Sequence, residues 1–486
     1  MKSIYNTLIN SDIIIREFVC HIEKRKYRAF IMYFDGMTDS QIINDFLLEP
    51  LMQIEYKTSF NKNIPLDKHI LNSLIPQNNV KTVSSFSDVA NAINSGNCIL
   101  FIDTLNSAFN IDSKKFEKRS VQPSENETVI RGPHEAFIEN LRTNTSLLRR
   151  IVNNENLIIE NTKVGKLSQT NCSICYMQNI TNYNLVAEVK YRINNLDVDS
   201  IESSGQLEQL IEENGSYGIP QVLATERPDK CAKSLYQGRI VVLLNGNPYA
   251  LIMPAVAMDF LASPEDTNMK STFANFLRFL RLIACAITLL LPGIYVAITN
   301  FHQELLPTEL LFSILASREN VPFPIIFELL VMELSFELIR EAGIRIPSPI
   351  GSTISIVGAL IVGEAAVSAQ IVSPILVIIV AITGIASFAI PDFAFGFHLR
   401  IFRFVFIFLG AFFGFLGIGL GIFSYISILC NIKSFGVPFT APFSPNSLGI
   451  NSGYMVPPTW KQETRNSFVS PQKIQKQNKI SKKWEY

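Results

Sequence analysis

The pattern of hydrophobic and polar positions divides the chain into three regions. Roughly the first half is polar, rich in Asn and Lys, and ordinary for a soluble protein. Apolar runs then dominate from Phe273 to Cys430, and the chain after Lys433 is polar and basic. The pattern predicts an α/β soluble N-terminal region of two subdomains, an all-α transmembrane domain and a short tail.

The stretch from Ile346 to Pro391 contains a single charged residue, Glu364. Because one bilayer crossing takes about 20 apolar residues, this stretch is long enough to cross about twice. Its first half is rich in Gly, Ala, Ser and Thr, which favour close helix packing or a wet pathway over contact with lipid. We predict spans over residues 352–372 and 375–390, with a break at Pro374.

Two further spans are predicted, over Leu277–Thr299 and over the glycine-rich run Phe404–Cys430. The intervening stretch, Phe301–Ile346, carries too many charges for lipid-exposed spanning helices, so we predict amphipathic helices at the interface or within an assembly. Four spans place both chain ends on one side, and the basic tail indicates that this side is cytoplasmic. If Phe323–Ile339 also spans, the count is five and the tail moves outside.

The soluble half is predicted to contain two α/β subdomains, at residues 1–120 and 121–265. They are followed by the helical domain at 270–432 and the tail at 433–486. In the first subdomain, strand-like runs at Tyr27–Phe34 and Asn97–Asp103 flank a run with helical spacing, Asp39–Leu48.

The second subdomain is predicted from similar signals. Its predicted elements are a helix at Glu135–Val152, strands at Leu185–Ile193 and Arg239–Leu244, a helix at Gln206–Asn214, and a hairpin turn at Asn245-Gly246 leading into Tyr249–Met253. The string Thr225–Asp229 is interpreted as the start of a helix, with Pro228 in its first turn.

Composition and motifs argue against an enzyme. Lys plus Arg and Asp plus Glu number 42 each, so net charge does not indicate nucleic-acid binding. The chain has no GxxxxGK[ST], HExxH or GxSxG string, and its five His residues are not at metal-ligand spacing. Cys172 and Cys175 form one CxxC without a second ligand pair, so we predict no cofactor, metal or redox role. The N-terminus lacks a signal-peptide core, so we expect the soluble half to stay inside.

One helical face in the first half of the charge-poor stretch could line a pore. Its small, hydroxyl and weakly polar residues recur every three or four positions: Ser352, Ser355, Ala359, Val362, Ala366 and Gln370. Val362 would then be a hydrophobic constriction. The alternative is that this face packs against another helix. Glu364, a carboxylate at membrane depth, must face water or a partner, be protonated, or lie at the membrane edge.

Several strings resemble the A subunit of GerA-type spore germinant receptors, and they span about residues 120–445. The strings are 131–140 (RGPHEAFIEN), 225–229 (TERPD), 238–248 (GRIVVLLNGNP), 306–310 (LPTEL), 340–347 (REAGIRIP) and 350–367 (IGSTISIVGALIVGEAAV). The sequence departs from the family pattern at His134, usually Arg, at Asp266-Thr267, often Asp-Tyr, and at Glu364, often Gln.

The resemblance implies a protein of the spore inner membrane whose two α/β subdomains face the spore core. It implies three partners: a permease-like B subunit that senses the nutrient, a lipoprotein C subunit, and further copies of the chain, as a pentamer. It also implies a nutrient-gated ion channel, which agrees with the small-residue face because a single such helix needs several copies to enclose a pore. Two alternatives stay open: a permease component that moves solute itself, and a non-conducting scaffold or sensor.

Overall fold

Two antiparallel sheets with the same strand order form the soluble half of the molecule. The computed structural model describes residues 4–22, 25–53, 66–77, 79–115, 126–213, 215–345, 358, 361–445 and 455–477. In each sheet two adjacent N-terminal strands form one side, and the third strand in sequence lies at the far edge, beside the fifth. The two α/β units therefore repeat one topology, which the sequence did not reveal.

The first sheet has the order β1-β2-β4-β5-β3. Its strands are β1 (Ile13–Ile22), β2 (Arg25–Phe34), β3 (Val80–Val83), β4 (Cys98–Ile102) and β5 (Ala108–Ile111). The connecting helices are α1 (Ser40–Ile43), a π-helical turn (Asn44–Leu48), α2 (Glu49–Met52), α3 (Leu66–His69), a second π-helical turn (Ile70–Leu74) and α4 (Phe86–Asn94). The predicted strands coincide with β2 and β4, and Asp39 caps the predicted helix by accepting a hydrogen bond from the Gln41 backbone.

The second sheet has the order β6-β7-β9-β10-β8. Its strands are β6 (Leu157–Val164), β7 (Thr170–Met177), β8 (Leu223–Thr225), β9 (Ile240–Leu244) and β10 (Ala250–Met253). The helices are α5 (Leu141–Ile151), α6 (Tyr183–Asn194), α7 (Ser204–Ile211), α8 (Pro228–Tyr236) and α9 (Ala257–Phe260), with 3-10 turns at Gly215–Tyr217 and Pro264–Thr267. The predicted hairpin at Asn245-Gly246 joins β9 to β10, and α8 begins at Pro228 as predicted.

The predicted strand at Leu185–Ile193 is wrong, because these residues form most of α6. Its buried residues recur at helical spacing: Leu185, Val186, Val189 and Ile193. The side chain of Asn182 begins the helix by accepting a hydrogen bond from the Asn184 backbone. The β-branched residues of this segment suggested a strand, and the period of its apolar positions was the better signal.

A buried ion pair joins the two α/β units. Arg149 on α5 donates two hydrogen bonds, of 2.9 and 2.8 Å, from Nη2 to the carboxylate of Asp12 in the first unit. The guanidinium also lies 4.2 Å from the centre of the Phe34 ring and donates to the Leu157 carbonyl. Because Arg149 has all of these partners, its burial at the junction is compensated.

The helical half begins with a long helix that continues directly from the second unit. Its helices are α10 (Ser271–Phe301), α11 (Thr308–Arg318), α12 (Ile325–Arg345), α13 (361–368), α14 (Pro374–Phe388) and α15 (Phe393–Asn431), with a 3-10 turn at Gln303–Leu305. Two of these, α10 and α15, are long and apolar enough to cross a membrane. The predicted break at Pro374 is confirmed, since Ser373 caps α14 and Pro374 occupies its first turn.

The last long helix is folded back on itself. Gly414 within α15 has φ 59° and ψ −143°, which is not a helical conformation. The Nε2 of His398 lies 3.1 Å from the hydroxyl of Tyr425, although 27 residues of straight helix would separate them by about 40 Å. Residues 393–413 and 415–431 are therefore two antiparallel arms of a helical hairpin. The prediction of one uninterrupted span over Phe404–Cys430 is wrong, because Gly414 supplies a conformation that ends the first arm.

Glycines allow α10 to lie directly against the first arm of this hairpin. A Cβ on Gly410 would lie 2.4 Å from the Gly293 carbonyl oxygen, and a Cβ on Gly293 would lie 2.6 Å from that of Phe406. The backbones of the two helices therefore touch. The predicted role of the glycines in close helix contact is confirmed at Gly410, whereas a Cβ on Gly419 would meet nothing within 4 Å.

The two ends of the helical domain can be told apart by their contacts. At the end nearer the sheets, Arg278 and Arg281 of α10 bind the buried Asp266, and the ring of Phe395 stacks on that of Phe260 at 5.7 Å. At the opposite end, the His302 ring lies 4.9 Å from that of Phe415, just after the hairpin turn. Both arms of α15 therefore run between the same two ends.

The tail returns to the second α/β unit. It contains two short strands, β11 (Lys433–Ser434) and β12 (Val437–Pro438), and 3-10 turns at Thr459–Lys461 and Ser467–Val469. The hydroxyl of Ser434 donates to the Gln221 carbonyl and accepts from the Ala255 backbone. Phe439 and Val469 are buried. The tail lies on the same side of the helical domain as the sheets.

We expect Gly410→Ala to lower the free energy of unfolding of the full-length protein by about 1–3 kcal/mol, because its Cβ would force α10 and the first arm apart. Gly419→Ala is the matched control and should leave stability unchanged or slightly raised. Thermal unfolding in detergent measures both. Equal midpoints for the two variants would contradict the backbone contact.

Candidate functional site

The region around α13 contains the residues that the sequence analysis predicted to line a pore. Ser352, Ser355 and Ala359 lie outside the described residues. Of the other three, Val362 is 37% exposed and Gln370 is also exposed, whereas Ala366 is half-buried. Glu364 is exposed on the surface of the single chain.

One edge of α13 packs against its own chain. Gly363 is buried and a Cβ there would lie 3.6 Å from a methyl of Val377 on α14. Ala366 and Val367 pack on a core cluster that includes Leu376 and Val372. Packing against a neighbouring helix, the alternative to a pore, therefore applies to Ala366. Val362 and Glu364 remain at the surface.

The turn between α13 and α14 is held by a carboxylate of α12. Oε2 of Glu328 accepts a hydrogen bond of 3.1 Å from the Ser373 backbone, and Oε1 accepts one of 2.9 Å from Arg318 on α11. Glu328 is buried, so its charge depends on these partners. A single side chain thus connects α11, α12 and the residue that caps α14.

A second group of charges lies between α12 and the first arm of α15. Glu337 accepts hydrogen bonds of 2.9 Å from Arg400 and 3.0 Å from Arg403. Nη2 of Arg403 also lies 2.8 Å from Glu333, and both of these side chains are fully buried. The guanidinium of Arg340 donates to Ser387 on α14. Partners within the chain thus reduce the free-energy cost of removing the charges of 301–346 from water. Sequence reasoning missed two of these partners, Arg400 and Arg403.

The two cysteines of the CxxC string do not lie together in one site. Cys172 and Cys175 lie on β7 and belong to hydrophobic clusters on the two opposite faces of the second sheet. Burial raises the pKa of the Cys172 thiol to about 12 and also raises the pKa of Cys175. In the part of the chain that the structure describes, no group of three His, Cys, Asp or Glu side chains could hold a metal ion.

The string Thr225–Asp229 forms a structural clamp. Arg227 is buried and donates to the carbonyls of Glu127 and Pro133 as well as to the carboxylate of Asp229. The hydroxyl of Thr225 donates to the Glu127 carboxylate. The string therefore binds the segment before α5 to the start of α8, a role that the helix-start interpretation did not include.

Comparison with known proteins identifies the family. The model of the "Bacillus/Clostridium GerA spore germination protein" family matches residues 1–468. The chain belongs to the GerA family. It is 40% identical over 472 residues to spore germination protein KA of Bacillus subtilis (strain 168), covering 97% of this chain and 85% of that protein. The family resemblance inferred from the sequence is therefore confirmed.

This GerA-family chain is also similar to two other proteins. The uncharacterized membrane protein YfkQ of Bacillus subtilis (strain 168) is 37% identical, over 90% of this chain and 83% of its own length. The crystal structure of the N-terminal domain of the A subunit of the Bacillus megaterium spore germinant receptor GerK3 matches at 30% identity and a TM-score of 0.39, covering 52% of this chain and 92% of that one. This chain itself has two helices, α10 and α15, that are long and apolar enough to cross a membrane.

We expect Arg403→Met to lower the free energy of unfolding by about 3–5 kcal/mol, because it leaves the buried Glu333 and part of Glu337 without a counter-charge. The control is Lys166→Met, which removes an exposed ion pair with Asp197 and should change stability by less than about 0.5 kcal/mol. Chemical unfolding of the full-length protein measures the difference. Similar midpoints for both variants would show that the network does not stabilise the helical domain.

Proposed function

We propose that this chain is the A subunit of a nutrient receptor in the spore inner membrane, and that several copies surround an ion pathway lined by α13. The observation that carries this proposal is the placement of Val362 and Glu364 on the surface of the single chain, within a helix poor in large apolar residues. The Glu364 carboxylate is unsuited to lipid and requires either water or another copy, while Val362, two positions earlier, lies about 200° around the helix from it, on the face proposed to line the pathway.

The proposal includes six crossings of the membrane, in place of the four predicted from the sequence. They are α10, α12, the segment that ends in α13, α14 and the two arms of α15. Glu328 near the start of α12 meets Ser373 just before α14, and Arg340 near the end of α12 meets Ser387 near the end of α14, so these two helices run parallel and the chain must return once between them. An even number of crossings keeps the sheets and the tail on one side, which we assign to the spore core.

Assembly into a ring, with a pentamer as the expected form, is supported by apolar surface at the end opposite the sheets. Most of α11 is exposed, with only Ile314 buried among its residues. Its exposed large apolar side chains are Leu310, Phe312 and Leu315. These residues suit contact with another copy, with a permease-like B subunit or with lipid, and a lipoprotein C subunit completes the proposed receptor.

Glu328 is the proposed link between partner binding and the pathway. A shift of α11 caused by a partner would act on Arg318, and through Glu328 on the Ser373 backbone, which caps α14 and follows α13 by five residues. Such coupling requires that the partner bind the open and closed arrangements with different affinity. The charges of residues 301–346 thus connect the outer end of the domain with the proposed gate.

The test is potassium release from spores that carry Val362→Ala. A smaller side chain at a hydrophobic constriction should weaken its dewetting, so we expect release without nutrient or at lower nutrient concentration than in the wild type. Val405→Ala is the matched control, since Val405 is 47% exposed on the first arm of α15 and lies outside the proposed pathway.

Deletion of the gene should abolish the nutrient response. If Val362→Ala and Val405→Ala both release potassium like the wild type while the deletion does not respond, the gate is not at Val362. A purified receptor that binds nutrient in liposomes but passes no ions would favour the non-conducting scaffold.

A further inference from the structure

A cavity of about 190 Å³ lies where α8, α10 and the tail meet. Since a water molecule occupies roughly 30 Å³ in the liquid, it has room for a small polyatomic group. Lys233 of α8, Arg278 of α10, Asp259 of α9 and Gln462 of the tail line it, together with apolar surface from Met258. Because Arg278 lies in the second turn of the first apolar helix, the cavity lies close to the membrane surface.

Basic side chains outnumber acidic ones around this cavity. The basic residues are Lys230, Lys233, Arg239 and Arg278, and the acidic ones are Asp229 and Asp259. The two acidic residues are already engaged by arginines, since Arg239 binds both oxygens of Asp259 and Arg227 binds both oxygens of Asp229. Neither carboxylate is therefore available to balance another cation.

Lys233 differs from the other basic residues of the cavity, each of which is paired with a carboxylate. Lys230 binds Glu127, and Arg278 shares Asp266 with Arg281. Among the residues that the structure describes, no carboxylate lies within ion-pair distance of Lys233. Its side chain is solvent-accessible where it borders the cavity.

Positive charges of neighbouring elements converge on Lys233. Partial loss of solvent around its ammonium group, followed by the positive charges of Arg278 and then Lys476 of the tail, lowers the pKa of Lys233 to about 8, although Asp266 and Asp259 act in the opposite direction. Lys476 is itself held in place by a hydrogen bond of 2.9 Å from its Nζ to Gln462. Placing these like charges together is unfavourable unless an anion joins them.

We propose that this cavity binds a phosphate group. Lysine and arginine from separate elements around one small volume suit a group with several charged oxygens, which can accept from all of them at once. The bound group would connect the second α/β unit, the start of α10 and the tail. Its source is either the headgroup of an anionic phospholipid or a soluble phosphate compound, and the inference does not depend on whether the chain conducts ions.

The experiment measures the unfolding temperature of the full-length protein in nanodiscs. In phosphatidylcholine discs, inorganic phosphate is added at constant ionic strength with chloride as the reference. In a second series, phosphatidylglycerol replaces part of the phosphatidylcholine and no phosphate is added. We expect stabilisation by at least one of these two probes. A response to free phosphate identifies a soluble ligand, and a response to phosphatidylglycerol alone identifies the lipid headgroup.

The variant is Lys233→Gln, with Lys476→Gln as a second variant from a different element. Each should reduce the shift caused by the effective probe by more than half, and circular dichroism checks that each is folded. The control is Lys163→Gln, an exposed lysine on β6 that bonds Gln169 and does not line the cavity.

The control should respond like the wild type. The proposal is overturned if neither probe stabilises the wild type, or if folded Lys233→Gln and Lys476→Gln both keep the full response, which would indicate general anion or surface effects.

Discussion

Neutralising charge inside an apolar helical domain is the constraint on which the arrangement of this molecule depends. Each isolated ion removed from water costs several kcal/mol, so a buried carboxylate must meet a cation at close range. Glu333 and Glu337 meet Arg403 and Arg400, and Glu328 meets Arg318. These pairs require α12 to lie beside the first arm of α15 and α11 to lie beside the start of α12. A slide of one helix by a single turn would separate the partners by about 5 Å.

Backbone contact complements this electrostatic constraint on the first arm. Gly293 and Gly410 bring α10 against the arm that carries Arg400 and Arg403. The arm is thus held both by close packing against α10 and by ion pairs with α12. The buried Asp266, bound by Arg278 and Arg281, extends the same rigid unit into the soluble half.

The sequence predicted the parts of this architecture that depend on composition and local period. The division into soluble and helical halves, the hairpin at Asn245-Gly246 and the break at Pro374 all follow from short-range signals. The strand order of the two sheets did not follow, because pairing between distant segments has no local signature. The hairpin in α15 was missed for a related reason: Gly414 is one of several glycines in an apolar run, and only its contacts distinguish it.

The pore-lining face inferred from the sequence stays a prediction. The run of small residues pointed to α13, and the described residues place Val362 and Glu364 at its surface. The same pattern could not tell that Ala366 packs on the chain itself, since adjacent faces of a small-residue helix have similar composition. The pairing of Arg403 with Glu333 joins residues 70 positions apart, so neither partner could have been identified from its own neighbourhood.

The return of the tail to the second α/β unit has a consequence for biosynthesis. Phe439 contributes to the core of this unit, and Ser434 supplies a hydrogen bond to the Ala255 backbone that no earlier residue provides in the finished structure. The ribosome makes these residues only after it has synthesised the whole helical half. The soluble unit therefore reaches its final packing last, after membrane insertion, and a chain truncated before the tail would expose part of that unit's core.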